Sequence, residues 1–337
     1  MLSVIIVNYN SGERLARCLE RLGRQSFRDF DVIIIDNASS DPSLDDALAA
    51  APSPLKVRAI RSGENLGFAA ANNVAAREAG GEWLVFLNPD AYAEPDWLAE
   101  LTAASARYPW ADAFGSTQLK AEDPSIIDGA GDVVHVLGVP YRGHFGWPAK
   151  TLPEDGECFA PCAAAAMYRR RTFLDLGGFE ERFFCYGEDV DLGFRLRLAG
   201  GRSVQVKAAR VLHEGSGVTG RYSDFTVYHG NRNRIWMTYR NMPGALYWPL
   251  TPFRLLADLY FCGRAVVVGT GPAYFRAVID GYRGLPGFAA DRRRLQRSRK
   301  ASLSAIARAL VWSPVTVFRR KAALRPLAQP AGEINHN

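Results

Sequence analysis

The sequence predicts an α/β fold, a mixed and mainly parallel sheet flanked by helices, followed by a helical C-terminal extension. Three observations predict it. Short β-branched runs alternate with helical patterns through the first hundred residues, the rhythm of a parallel sheet covered on both faces. A polar, turn-forming segment comes after each of these four runs. The charge also reverses along the chain: residues 1–229 hold 23 Lys/Arg against 31 Asp/Glu, and residues 230–337 hold 18 against 4. The predicted division is therefore an α/β domain over 1–229 and a basic, amphipathic helical region over 230–337.

Leu2–Val7 reads as the first strand, and Ser11 as the N-cap of a helix with Leu15, Cys18, Leu19 and Leu22 on one face. Val32–Ile35 is a second strand, apolar enough to be buried on both faces. Asp41 and Pro42 open the next helix in the Ncap/N1 arrangement. Val57–Ile60 is the third strand, a helix runs from about Phe68 to Ala79, and Trp83–Leu87 is the fourth strand. Residues 108–180 are richer in Gly and Pro and predict a few antiparallel strands among loops. A helix over Glu188–Ala199 precedes strand patterns at Ser203–Val206 and Ala209–Leu212. Long helical, basic and aromatic segments then begin beyond Tyr228.

The chain has 337 residues, 48% of them hydrophobic, enough to bury a sizeable core. Its five cysteines are scattered without any CxxC, a pattern of free thiols in a reducing compartment. Met1 leads straight into the first strand with no basic n-region, which argues against a secretory signal. The most apolar long stretch, Gly244–Thr270, is broken by Arg254, Asp258 and Arg264, which argues against a membrane span.

Open parallel sheets bind ligands at the carboxyl ends of their strands. Those ends here are Asn8-Tyr9-Asn10, Asp36-Asn37-Ala38-Ser39-Ser40-Asp41, Asn65-Leu66-Gly67-Phe68 and Asn88-Pro89-Asp90. Asn, Asp, Ser and Gly are ordinary in any strand-to-helix turn, but four such turns on one sheet edge point to a site. The first turn lacks the GxGxxG of a dinucleotide site, and no GxxxxGK[ST] occurs anywhere in the chain. Hydride-transfer and P-loop chemistry both lose support.

A second cluster is Tyr186-Gly187-Glu188-Asp189-Val190-Asp191-Leu192. Three carboxylates at a helix start complement the helix dipole. Mutual repulsion and partial burial would equally raise a carboxylate pKa and suit one of them to act as a general base. His213, after a strand and before Glu214 and a Gly-Ser-Gly segment, is an ordinary histidine by itself. Paired with a carboxylate, it could complete an Mg2+ or Mn2+ site with diphosphate oxygens and water.

Together these segments resemble the family-2 inverting glycosyltransferases of the GT-A fold, a Rossmann-like nucleotide-binding architecture, in the branch containing bacterial rhamnosyltransferases. The matching pieces are Val4 to Asn10, Asp36 to Asp41, Asn65 to Asn73, Leu87 to Asp90, Gly177 to Glu181 and Phe183 to Leu192, in the family's order over about residues 2–240. The resemblance implies that Asn8, Tyr9 and Asp36 cradle the nucleobase and that Asn65 and Gly67 lie beside the nucleoside and diphosphate. Asp90 ends the DxD-like motif and would hold the metal, Mg2+ or Mn2+. Asn88 stands where many relatives carry Asp, leaving a neutral oxygen for metal or ribose. Asp189 matches the catalytic base, and His213 a further metal ligand. Glu188 and Asp191 would orient the acceptor or the base, and Arg221, Arg232 and Arg234 are candidates to meet the diphosphate.

The resemblance also implies direct displacement: a sugar, rhamnose in the commonest case, passes from a dTDP- or UDP-sugar to a hydroxyl of a lipid-linked or polysaccharide acceptor in cell-surface glycan synthesis. Two other readings compete. A sugar nucleotidyltransferase would carry a glycine-rich basic loop after its first strand, and Tyr9 to Glu13 is no such loop. A non-catalytic, membrane-associated scaffold would tolerate loss of Asp90 or Asp189.

The basic region sets apolar stretches between cationic runs, Arg292 to Lys300 and Arg319 to Lys321, with a helix-like apolar segment over Ala301–Phe318. Such segments suit an anionic membrane surface, here through residues 244–321. Helices packed on the catalytic domain with a solvated basic face are the alternative. Nothing resembles a nucleic-acid-binding module, so no nucleic acid is expected as a partner. The place of action expected is the cytoplasm, at the inner face of the cell membrane.

Overall fold

The computed structural model describes residues 1–215 and 223–327. The N-terminal half runs β1 (Leu2–Asn8), α1 (Arg14–Gly23), β2 (Phe30–Asp36), α2 (Ser43–Ala49), β3 (Val57–Arg61), α3 (Gly67–Glu78), β4 (Trp83–Leu87), β5 (Ala91–Ala93) and α4 (Trp97–Arg107). Then come β6 (Ala113–Lys120), the short strands β7 (Ile127–Gly129), β8 (Asp132–Val134), β9 (Pro140–Arg142) and β10 (Gly156–Cys158), and β11 (Ala165–Arg169) with α5 (Arg170–Asp175). The chain continues through α6 (Glu188–Leu198), β12 (Ser203–His213), α7 (Asp224–Asn241), α8 (Gly244–Val267), α9 (Gly271–Arg283), α10 (Ala289–Arg297), α11 (Leu303–Ala309) and α12 (Pro314–Arg319).

The main sheet has the order β10-β12-β6-β11-β4-β1-β2-β3, with β5 added to β12 and β7 to β6. β1 is parallel to both β2 and β4, and β2 is parallel to β3. β11 is antiparallel to β4 and β6. The sheet is therefore mixed and mainly parallel, as the sequence predicts. β1 and β4 are buried along their whole length because helices cover both faces, which is why they read as unbroken apolar runs. One face packs Leu15, Leu19, Leu44, Trp97 and Leu101 from α1, α2 and α4. The other packs Ala69, Ala75, Phe173, Leu192 and Leu196 from α3, α5 and α6.

Several local expectations change. The first helix begins at Arg14, and Ser11 does not cap it: its hydroxyl donates inward to Asn8 Oδ1, drawn down by the polar strand ends. The two strand patterns after α6 are one strand, β12, with an irregularity between Val206 and Arg210 where Lys207 N–H turns aside to Asp155. The segment 301–318 is two short helices. The chain between them extends so that Val311 N–H can donate to the Val134 carbonyl, and Pro314 restarts the helix.

The division expected between residues 229 and 230 falls inside α7. Met237, Tyr247, Phe288, Ile306 and Leu310 share a core with Phe183, Val190 and Phe194, so the basic region is built onto α6. No described helix is long and apolar enough to cross a membrane. The outward face of α8 is nonetheless apolar: Trp248, Phe253, Leu256, Leu259 and Val267 are exposed, Val267 at 86%.

Candidate active site

The parallel strands end on one edge, and there a cavity of about 780 Å³ opens. On its β1–β3 side stand Tyr9, Asn37, Asn65, Gly67 and Phe68; on the opposite side stand Tyr141, Arg142, Cys162, Glu188 and Asp189; Asn88, Asp90 and His213 also line it.

The β1–β2 edge is a polar network. Asn8 is wholly buried; its Nδ2 donates to Asp36 Oδ1 at 2.8 Å and to Ser43 Oγ at 2.9 Å. Asp36, also almost wholly covered, accepts in addition from Ser39 N–H. The cavity wall is made by the residues after them, Tyr9 and Asn37, because the strand-end side chains turn inward to satisfy each other. Asn8, expected to help cradle the nucleobase, does not line the cavity itself; it holds Asp36. Asn37 carries the network onward, donating to Asn65 Oδ1 at 2.8 Å and accepting from Leu66 N–H at 2.8 Å.

β12 carries His213 to Asp90. His213 pairs with Ala91 in the β5–β12 ladder, and Glu214 N–H donates to the Asp90 carbonyl. The buried imidazole sets Nε2 3.4 Å from Asp90 Oδ1 and Nδ1 2.8 Å from Asp128 Oδ2. Burial opposes a charge on this ring, but Asp128 and Asp90 outweigh it and raise its pKa above the usual histidine value. His213 Nε2 and Asn88 Oδ1 are both buried, and neither has a hydrogen-bond partner among the described residues. With Nε2 unprotonated, His213 beside Asp90, together with Asn88 on the same cavity wall, offers a donor set that fits a divalent cation.

The start of α6 divides its carboxylates between two jobs. Asp189 lines the cavity with its carboxylate fixed: Oδ2 accepts from Ala163 N–H at 3.0 Å and Oδ1 from its neighbour Val190 N–H at 2.8 Å. Burial raises its pKa despite those hydrogen bonds. Glu188 also lines the cavity, and burial together with the Asp189 charge pushes its pKa well up. Asp191 does not line it. The helix turns this side chain inward, where it is fully buried against Arg195 at 2.7 Å, Arg240 at 2.8 Å and Asn241 at 2.6 Å. Asp191, expected to orient the acceptor or the base, thus stands behind the site among buried partners.

The arginines are also reassigned. Arg232 stays behind the cavity wall, donating to the Phe183 carbonyl and lying over the Trp236 ring. Arg234 is buried against Asp258 of α8. Neither lines the cavity. On a helix their two-residue spacing sends them to different surfaces, one toward the 183–186 loop and one toward α8. Arg221 lies outside the described residues.

Sequence reasoning passed over several residues. Asp132, at the start of β8, sits with Cys162 and Asp189 so that their polar atoms lie within 4.8 Å of one another. Burial and the Asp189 charge push the Asp132 pKa well up, while Arg142 counters them. Asn233, wholly buried, donates from Nδ2 to the carbonyls of Phe183, Cys185 and Tyr186 and so shapes the loop ahead of Glu188. The only sequence signal for it was its place inside Asn231-Arg232-Asn233-Arg234; Asp128, Asp132 and Arg142 gave none.

Residues 3–177 match the family model described as glycosyl transferase family 2. The chain belongs to this family. Among curated relatives it is 32% identical over 245 residues to an N-acetylglucosaminyl-diphospho-decaprenol L-rhamnosyltransferase of Mycobacterium tuberculosis, covering 66% of this chain and 78% of the relative. Two solved structures share its fold. Residues 1–349 of Staphylococcus aureus TarS, in complex with UDP-GlcNAc, superpose with a TM-score of 0.58 at 17% identity, over 95% of this chain and 92% of that one. The mannosyltransferase PcManGT of Pyrobaculum calidifontis, in complex with GDP-Man and Mn2+, superposes with a TM-score of 0.52 at 18% identity, over 91% and 85%. The fold is GT-A, and as a family 2 glycosyltransferase the chain is an enzyme of sugar transfer. Membership of this family sets the nucleotidyltransferase reading aside.

Proposed function

We propose that this glycosyltransferase moves a sugar, rhamnose in the expected case, from a dTDP- or UDP-sugar to a hydroxyl of a lipid-linked acceptor in cell-surface glycan synthesis, with inversion at the anomeric carbon. The observation that carries the reading is one cavity lined together by the strand-end turns, by the fixed, half-buried carboxylate of Asp189, and by Asp90 and His213. The Mycobacterium relative's lipid-linked acceptor supports the acceptor class.

Tyr9 and Asn37 would meet the nucleobase, with Asp36 behind them as the expected acceptor of the pyrimidine N3–H, and Asn65 and Gly67 would lie along the nucleoside and diphosphate. Asp90 and His213 would hold Mg2+ or Mn2+, with Asn88 offering a neutral oxygen to the metal or the ribose. When bound, the cation supplies positive charge to the diphosphate leaving group. Asp189 takes the proton from the acceptor hydroxyl as that oxygen attacks the anomeric carbon from the face opposite the diphosphate. Its backbone hydrogen bonds fix the direction of the carboxylate, and burial keeps it basic enough to accept. Glu188, its pKa pushed well up by burial and the Asp189 charge, would orient the acceptor or the base.

The reading also has the enzyme act in the cytoplasm at the inner membrane face. Its support is the apolar face of α8 in a region with 18 Lys/Arg against 4 Asp/Glu.

The test is turnover of dTDP- and UDP-sugars in parallel, with and without Mn2+, on a short prenyl-diphosphate N-acetylglucosamine acceptor. Sugar transfer that needs the cation and disappears in Asp189→Asn, with donor binding retained, is expected. Undiminished transfer by Asp189→Asn would remove the base from the mechanism.

A further inference from the structure

Resting on the cation site proposed above, we propose that Asp128 is a positioning residue: it holds His213 with Nδ1 protonated, which leaves Nε2 as the lone-pair donor on the Asp90 side. The geometry is specific. Asp128 Oδ2 lies 2.8 Å from His213 Nδ1, and both side chains are only 1% exposed. On the far side of the ring, Nε2 stands 3.4 Å from Asp90 Oδ1 and has no hydrogen-bond partner among the described residues. An imidazole that binds a cation through Nε2 is neutral and carries its one N–H on Nδ1, and the Asp128 oxygen 2.8 Å away is placed to accept that proton. The arrangement Asp128–His213–cation then has the order in which an outer carboxylate fixes the tautomer and ring plane of a metal-binding histidine.

The carboxylate is itself anchored. Arg142 at the end of β9 donates from Nη1 to the same Oδ2 of Asp128, which fixes the carboxylate against the ring. Three separate elements, β7, β9 and β12, thus converge on one imidazole that β12 also fixes through its pairing with β5. That pairing alone would hold the backbone of β12 in place. The Asp128 contact adds control over the imidazole itself, its ring plane and its proton.

The proposal predicts that Asp128 acts on cation affinity through His213 alone. Mn2+ binding to the full chain, in the presence of the nucleoside diphosphate, is read from the electron paramagnetic resonance signal of free Mn2+. Outer carboxylates of this kind contribute about 10- to 100-fold to metal affinity, so Asp128→Asn should weaken Mn2+ binding by that factor. His213→Ala should weaken it at least as much, and adding Asp128→Asn to His213→Ala should change nothing further. Equal effects of Asp128→Asn with and without His213 would overturn the positioning role while leaving the cation site standing. Absence of Mn2+ binding by the wild type would overturn the cation reading and this proposal together. A second measurement needs no variant: in histidine-15N-labelled protein with Mg2+ and nucleoside diphosphate, His213 should carry its proton on Nδ1. A proton on Nε2 would sink the proposal even if Asp128→Asn fails to fold.

Discussion

Phe184 lies directly over Gly67, close enough that a β-carbon on the glycine would overlap both the ring and the Phe184 carbonyl oxygen. Gly67 also has a φ of +78°, a conformation that residues with side chains rarely adopt. The contact joins the two halves of the cavity, since Gly67 begins α3 on the nucleotide side and Phe184 precedes the carboxylates of α6. Gly67→Ala should therefore lower stability by about 1–3 kcal/mol from backbone strain, with further loss from the overlap, and raise KM for the donor sugar. Thermal melts and donor-dependence of the rate check both effects.

Asp191 should behave as a stabilising residue with no direct part in transfer. Removing one partner from a buried ion pair costs about 3–5 kcal/mol, so Asp191→Asn should sharply lower the denaturant midpoint of unfolding. Burial acts to raise its pKa, but Arg240 and Arg195 prevail and hold it below the usual value. The stabilisation is therefore fully present above the unfolded aspartate pKa and is lost as pH falls through the lower folded value. Acid unfolding of Asp191→Asn should lack that component.

The pH profile of transfer should report Asp189. Burial raises its pKa above the ordinary aspartate value, and a general base works only when deprotonated. Activity should thus rise with pH through a limb lying above the range of an exposed aspartate, and kcat/KM measured from acid to neutral pH locates that limb. Any residual activity of Asp189→Asn should not show it.

Arg234→Ala should disturb α8 more than donor binding. The variant strands Asp258, which accepts from Arg234 and from Tyr282 in a buried site. We expect a lowered melting temperature with an unchanged donor KM, the reverse of what a diphosphate-binding arginine would give.

The exposed face of α8 offers a test of the membrane reading. Leu256→Glu combined with Leu259→Glu should weaken sedimentation with phosphatidylglycerol vesicles while leaving transfer to a water-soluble acceptor intact. Equal binding to vesicles of phosphatidylcholine alone would argue against an electrostatic contribution from the surrounding arginines.

The strands β1 to β4 were legible because burial on both faces writes a continuous apolar run into the sequence, and each run ends in a polar turn on the same edge. Asp90 and Asp189 both line the cavity, as their motifs, each fixed to a regular element, suggest. Asp191 and Arg234 lie off the cavity because a charged letter does not say whether its side chain faces a ligand or a buried partner; that depends on helices α7 and α8 far along the chain. Asp128, Asp132 and Arg142 come from three-residue strands. Such segments are too short to show a period, and their place is set by brief pairings with neighbouring strands and by contacts with the C-terminal region.

Asn233 shows what this organisation means for exchanging parts between relatives. Its single amide clasps three carbonyls of the loop that leads into Glu188 and Asp189, yet it belongs to the helix that opens the basic region. A chimera that joins one family member's sheet to another's C-terminal helices would inherit the clasp from one parent and the loop from the other. Acceptor preference should therefore travel with the matched pair of segments, 183–191 together with 224–241, and a graft of either one alone should yield a folded but poorly aligned base.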